Sequence, residues 1–361
     1  NVSHFKTSNV RNMQYMFANM IQLDSLDTSN FNTSLVENMG GLFKNCILFE
    51  SIDITHFNTE NVENMESMFC GCEKLYYIDL SNIVTSKVKN MKYMFAFCKS
   101  LNTFNLTRFN TLLVEDMEAM FKNCEIVSYL NISNFFTPRV KNMAYMFDSC
   151  YNLISIDFYC GVEKKINKVI KEFDNNNNNT NSSYDNNIPI PSTSSDLFSE
   201  NINEHLNGNT YSEDNTFLIE ETTILSEILN DKTIEINEPI DFIDEINYFD
   251  TSNVINMEYM FNNCSSLISL NLSKFNIENS AYINNMFSNC SNLKNLNLSS
   301  FHANKVENAS GMFDSCTNLT EIDFNYFKGE NIKDISYMFS QCKNLSYVDL
   351  SSFQLNQINN M

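Results

Sequence analysis

Eleven cysteines are the first residues whose chemistry needs an account. Nine share one register, at Cys46, Cys72, Cys98, Cys124, Cys150, Cys264, Cys290, Cys316 and Cys342, while Cys70 and Cys160 lie outside it. There is no C-x-x-C pair, and Cys70 and Cys72 are separated by one residue. None of the four histidines (His4, His56, His205, His302) accompanies the column, so neither zinc nor thiol–disulfide exchange is indicated. The expected role is that of a small buried apolar residue. A disulfide ladder between successive copies is sterically conceivable, but an odd cysteine total and a first copy with Met20 at this position argue against it.

A second register is acidic or amidic: Asp27, Asp53, Asp79, Asn105, Asn131, Asp157, Asn271, Asn297, Asp323 and Asp349. Carboxylates in a row repel unless diluted by amides. They could also share a cation, although nothing in the spacing fixes a coordination number. Tyr77, Tyr129 and Tyr347 fall on the same predicted face and are candidate anchors for a partner. A third register holds Asn12, Asn38, Asn64, Asn90, Asn142, Asn256 and Asn308, with Asp116 and Asp334. Short polar side chains there are expected to hydrogen-bond free backbone groups at a turn. No G-x-S-x-G, H-E-x-x-H or glycine-rich phosphate loop occurs, and only seven glycines are present. Catalysis, cofactor binding and metal binding are therefore not expected. Asn-x-Ser/Thr sequons such as those at Asn271 and Asn297 are numerous, as the high asparagine content alone would produce.

These registers exist because the sequence repeats every 26 residues. A Met-Phe pair, once Leu-Phe, places phenylalanine at 17, 43, 69, 95, 121 and 147, and again at 261, 287, 313 and 339. One unit reads V-x-N-M-x-x-M-F-x-x-C-x-x-L-x-x-L-D/N-L-S-x-F-x-T. Its first half spaces apolar residues as in Val254, Met257, Met260, Phe261 and Cys264, the stripe of a short helix. Its second half alternates, with Leu270 and Leu272 between Ser269, Asn271 and Ser273, a short strand with one buried face. Such a unit is too small to bury its own apolar side, and stacking supplies the core. The expected architecture is an α/β, leucine-rich-repeat-like solenoid of helix-strand units. Its strands form a parallel sheet on one face, on the order of 45–50 Å wide for ten copies.

The copies MFNNCSSLISLNLSKF (260–275) and MFSNCSNLKNLNLSSF (286–301) closely resemble the BspA-like leucine-rich repeats, the DUF285 class of surface-protein repeats. The resemblance covers about residues 1–159 and 248–361. It implies a surface protein engaged in adhesion or host and partner binding, and hence a cell-surface or extracellular location. Reduced cysteines would instead suit a cytoplasmic, reducing compartment.

The register breaks once. Residues 1–160 hold six units and residues 248–361 hold four and the start of another. Between them, 161–247 carry 18 acidic and 5 basic residues, the larger part of the net charge of −21. This insertion contains the run Asn175–Asn179 and an I-P-I-P-S-T-S-S segment, and it reads as disordered. Two patches, Ile166/Val169/Ile170/Phe173 and Ile224/Leu225/Ile228/Leu229, have helical spacing. The insertion is either a tolerated expansion or an acidic docking segment. So acidic a chain is not expected to bind nucleic acid, and no run is long enough to span a bilayer. The chain begins at Asn1 and stops within a repeat at Met361, so it reads as a fragment and the missing leader carries little weight. The predicted function is a non-catalytic interaction or adhesion scaffold, which binds a protein or cell-surface partner through the exposed strand face. The alternative is a surface coat or spacer without a specific ligand.

Overall fold

The structure is a computed structural model and describes residues 2, 4–158, 249–353 and 357–361. The whole predicted insertion, including both amphipathic patches, and Cys160 before it lie outside the described residues. Residues 1–161 and 247–361 form one compact unit. We number its rungs 1 to 10 by the repeated phenylalanine, from Phe17 to Phe339.

The helix half of the expected unit is not there. Among the described residues there is no α-helix, and the apolar stripe instead runs along a ribbon of consecutive turns. The reason lies in where the backbone donors go. In rung 3 the N–H groups of Met65, Ser67, Phe69 and Gly71 donate to the carbonyls of Asn90, Lys92, Met94 and Ala96 in the next rung, at 3.0, 2.8, 2.9 and 2.7 Å. A helix needs those donors for its own i−4 carbonyls. The intervening groups close tight turns within the rung, as from Met68 N–H to the Met65 carbonyl and from Cys72 N–H to the Phe69 carbonyl. Two residues per rung adopt positive φ, which a right-handed helix excludes. One series runs Tyr15, Gly41, Ser67 to Tyr337, and the other Asn19, Asn45, Gly71 to Gln341. Asn or Gly fills six of the ten places in the second series (19, 45, 71, 123, 263 and 289), as expected of residues that tolerate this region.

The strand half survives in reduced form. Eight strands of two or three residues pair in parallel, each with the equivalent residue of the next rung: β1 (Ser51–Ile52) with β2 (Tyr77–Ile78), β3 (Tyr129–Asn131) with β4 (Ser155–Asp157), β5 (Ser269–Leu270) with β6 (Asn295–Leu296), and β7 (Glu321–Ile322) with β8 (Tyr347–Val348). The wide continuous sheet expected on this face is thus replaced by four separate pairs. Rung 4, where Phe104 replaces the aliphatic residue, carries no strand, and its ring sits edge-on between Phe95 and Phe121 with centroids 5.1 Å from each. The pairing that does run through the whole stack lies on the third register. Parallel bridges link Asn12, Asn38, Asn64, Asn90, Asp116, Asn142, Asn256, Tyr282, Asn308, Asp334 and Asn360 in succession.

That succession crosses the insertion without a fault. Asn142 pairs with Asn256, and Met143, Tyr145, Phe147 and Ser149 donate to Asn256, Glu258, Met260 and Asn262 at 2.9, 2.9, 2.9 and 2.8 Å. The chain leaves at Phe158 and returns at Phe249 with the two rings 4.8 Å apart.

Inside the stack, each column packs on itself. The ten repeated phenylalanines stack face to face from Phe17 to Phe339, with centroids 5.4–6.0 Å apart and planes within 1–14°. Stacked pairs add about 0.5–1.5 kcal/mol each to the burial itself. A buried threonine column, unexplained by the sequence reading, clasps successive rungs. Thr33 Oγ1 donates to the Asn58 carbonyl at 2.9 Å and accepts from the Asn58 N–H at 2.8 Å. Thr59 with Val84 and Thr85 with Asn110 repeat the pattern.

The cysteine column is buried with these elements, Cys342 at the end being only partly so. Every thiol donates to the carbonyl of the preceding rung's phenylalanine, Cys46 to Phe17 through Cys342 to Phe313, at 3.0–3.3 Å. All nine are free thiols, as is Cys70, so no disulfide ladder joins them. Burial disfavours the thiolate and pushes Cys46 up to about 11 and Cys150 and Cys290 up to about 12.

Two predictions follow from this packing. Gly71 has φ +77°, and an added Cβ would lie 2.2 Å from Asn45 Oδ1 and 3.3 Å from the Asn45 backbone. Gly71→Ala is expected to lower denaturant stability by about 1–2 kcal/mol or more, the cost of a left-handed alanine alone; an unchanged unfolding midpoint would contradict the assigned backbone. The column thiols are expected to resist alkylation until the chain unfolds. Because their folded pKa values exceed the ordinary 9.0, they contribute stability that is complete below pH 9 and is lost as pH rises toward 11 and 12. A melting temperature that stays flat or rises from pH 9 to 11 would contradict this.

Candidate functional site

The strand face is built by a short alternation. In β3, Leu130 points inward and is 2% exposed, while Tyr129 on the other side is 49% exposed. The other seven strands keep this alternation, the first residue more exposed than the second, so their outward residues form rows along the stack. Tyr77, Tyr129 and Tyr347 are indeed outward and exposed. They are not brought together. Tyr77 and Tyr129 are two rungs apart, and Tyr129 and Tyr347 are five, about 24 Å at the usual strand spacing. Tyr129 is held in place, since its hydroxyl donates to Asp157 Oδ2 at 2.6 Å. This bond to a carboxylate is the main cause that raises the Tyr129 phenol to about 12.

The acid/amide register also lies outward. Asp53, Asn105, Asn131, Asp157, Asn271, Asn297 and Asp323 are exposed, and Asp79 and Asp349 are half-buried. Most of these side chains have a structural task. Asp27, Asp53, Asp79, Asn105, Asn131, Asn271, Asn297, Asp323 and Asp349 each accept, through Oδ1, the N–H two residues ahead, which closes the turn that ends the strand. At Asp53 the Thr55 hydroxyl adds a second bond at 2.7 Å. Together the hydroxyl and N–H of Thr55 hold the Asp53 carboxyl below the usual range, and Ser81 and Ser351 do the same for Asp79 and Asp349. These groups stay ionised at neutral pH and leave one oxygen each to solvent. The third register makes the same bond on the other side of the rung, as from Glu66 N–H to Asn64 Oδ1 at 2.9 Å and Lys92 N–H to Asn90 Oδ1 at 2.9 Å. It closes a turn, as expected, with no helix to start. No group of three or more His, Cys, Asp or Glu side chains among the described residues is arranged to hold a metal ion.

The sequence reading missed two residues on this side. Ile154 and Ile268 are equivalent positions of rungs 6 and 7, adjacent in the stack, and are 48% and 51% exposed. Elsewhere this position is polar, at Glu50, Asn102, Ser128, Lys294, Thr320 and Ser346, with Tyr76 the other departure. The signal was present as a break in the column's polarity. Ile154 is fixed by its own N–H, which donates to the Ser128 carbonyl at 2.9 Å. Rungs 5 to 7 therefore present a tied-down tyrosine, two isoleucines and the Asp157 carboxylate.

No helix among the described residues is long and apolar enough to cross a membrane. The family described as "Mycoplasma protein of unknown function, DUF285" matches residues 1–103, 42–158, 71–186 and 226–322. Among solved structures, a leucine rich cell surface protein from Faecalibacterium prausnitzii A2-165 is similar at 13% identity, over 90% of this chain and 80% of that one, with a TM-score of 0.28. No curated protein matches the chain. The family's matches cover well over half of the residues, and the chain belongs to the DUF285 family of BspA-like repeat proteins.

Proposed function

We propose that this repeat protein is a non-catalytic interaction scaffold that binds a protein or cell-surface partner through its exposed strand face. The observation that carries the reading is the contrast between columns. Inward and turn-closing positions keep one chemistry from rung to rung, whereas the outward positions of rungs 5 to 7 depart from it with Tyr129, Ile154 and Ile268. Those three side chains remain 48–51% exposed in the stack, and exposed apolar groups around an aromatic anchor are what a partner buries. The column thiols are tied to carbonyls of the preceding rung, and the five carboxylates Asp27, Asp53, Asp79, Asp323 and Asp349 close turns within their own rungs. A second reading, a spacer whose face is inert, is favoured by one finding: nine residues of the outward acid/amide register are spent closing turns.

Surface adhesion separates the two. Beads coated with the chain are expected to adhere to a cell layer. A variant with Tyr77, Tyr129 and Tyr347 each changed to Ser, and a second with Ile154→Asp and Ile268→Asp, are expected to lose most of that adhesion while melting within a few degrees of the parent. Full adhesion by both variants would exclude the strand face, and no adhesion by the parent chain would leave the spacer reading.

A further inference from the structure

A trough of about 880 Å³ runs along a flank of the stack formed by rungs 5 to 10. Its floor belongs to the row Glu115, Lys141, Ile255, Ala281 and Glu307, whose backbones are joined from rung to rung by N–H···O bonds of 2.9 Å. The trough exists because this row changes chemistry at rungs 7 and 8. Elsewhere the row is charged, and opposite neighbours close ion pairs that fill the flank: Arg11 with Glu37, Glu63 with Lys89, and Glu307 with Lys333. Ile255 and Ala281 interrupt the series and leave a low apolar step, with Ile255 47% exposed. The opposite wall is low as well. Its Asn253 and Asn279 amides are folded down onto the Pro138 and Ser252 carbonyls at 2.8 and 2.7 Å.

Three cations line this trough without a carboxylate partner among the described residues. Arg139 is exposed and makes no ion pair with any described residue. Lys141 stands one rung from Glu115 in the same relation as the closed pairs of its row, yet this pair does not close. Lys305 bonds only the neutral Asn279 Oδ1, at 2.6 Å. Glu307, the acidic group nearest Lys305 in sequence, is already neutralised by Lys333 at 2.8 Å. Against these three cations the trough lining holds one carboxylate outside the closed pairs, Glu115, so in a chain with a net charge of −21 a local excess of positive charge lies beside an apolar step.

We propose that the trough is a second docking surface, separate from the strand face, and that its occupant is an extended acidic peptide segment of a partner protein carrying an aliphatic side chain. The charge complement fixes the acidic character, and Ile255 and Ala281 take the aliphatic group. Six rungs span about 24 Å, the length of about seven extended residues. A bare phosphate or lipid headgroup would leave the apolar step unfilled.

The test uses the full chain and a fluorescein-labelled peptide of about eight alternating Glu and Leu residues, followed by anisotropy at low and high salt. Saturable binding that weakens with salt is expected, as is loss of about tenfold or more in affinity in Arg139→Glu/Lys141→Glu. Ile255→Ser is expected to weaken binding while the salt dependence persists. All three residues are exposed, and unchanged melting of the variants verifies the fold. A chain with Tyr77, Tyr129 and Tyr347 changed to Ser should bind the peptide like the parent, so this surface and the strand face stand or fall separately. Absence of saturable binding, equal binding by the charge-reversed chain, or capture of phosphatidylserine vesicles in place of the peptide would overturn the proposal.

Discussion

The backbone hydrogen bond between rungs is the constraint on which the rest of this molecule depends. A 26-residue unit cannot bury its apolar residues alone, and it has no helix in which to satisfy its own donors. In the central rungs of the turn ribbon, every second N–H points along the stack to the next rung, and the others close the turns between. Once the rungs are bonded in that way, like residues must lie over like. The phenylalanine stack, the buried threonine clasps and the thiol-to-carbonyl bonds are consequences of that alignment, each requiring the same residue type at the same height in the next rung. The exact period of 26 is the trace of this requirement in the sequence. It also explains how 88 additional residues are accommodated between Phe158 and Phe249, because the ladder has only to resume in phase.

Much of this was legible from the residues. The period, the inward columns from Val254 to Cys264, the strand positions and the buried, unpaired state of the cysteine column followed from spacing and residue type. The helix did not. An apolar stripe at i, i+3, i+7 and i+10 is equally well presented by successive turns, so periodicity alone cannot separate the two. What distinguishes them is a residue that refuses a helix, and it was in view as Asn19, Asn45, Gly71, Asn123, Asn263 and Asn289, one place before the cysteine column. Alanine and phenylalanine at two left-handed positions, Ala119 and Phe97, show why no single rung reveals it.

The strand face was legible in part, for a related reason. Exposure of Tyr77, Tyr129 and Tyr347 follows from alternation, which is local. The work done by Asp53 or Asn131 depends on the N–H two residues ahead and marks the end of a strand, so a register that reads as a free polar face is largely an internal support. Ile154 and Ile268 lie 114 residues apart in sequence and become neighbours only because rung 7 stacks on rung 6. The flank trough arises in the same way, from two substitutions in a charged row that become adjacent through stacking. Sites on this scaffold are thus read as departures from a column, and a column exists only after the stack is assembled.

The most direct measurement of the central claim is native-state hydrogen exchange at the joint between rungs 6 and 7. The amides of Met143, Tyr145, Phe147 and Ser149 donate to Asn256, Glu258, Met260 and Asn262, residues that follow the insertion. If one unbroken ladder holds the molecule together, these four amides exchange as slowly as those of Met65, Ser67, Phe69 and Gly71 inside the first block. Fast exchange at the joint, with protection kept in rung 3, would contradict the account.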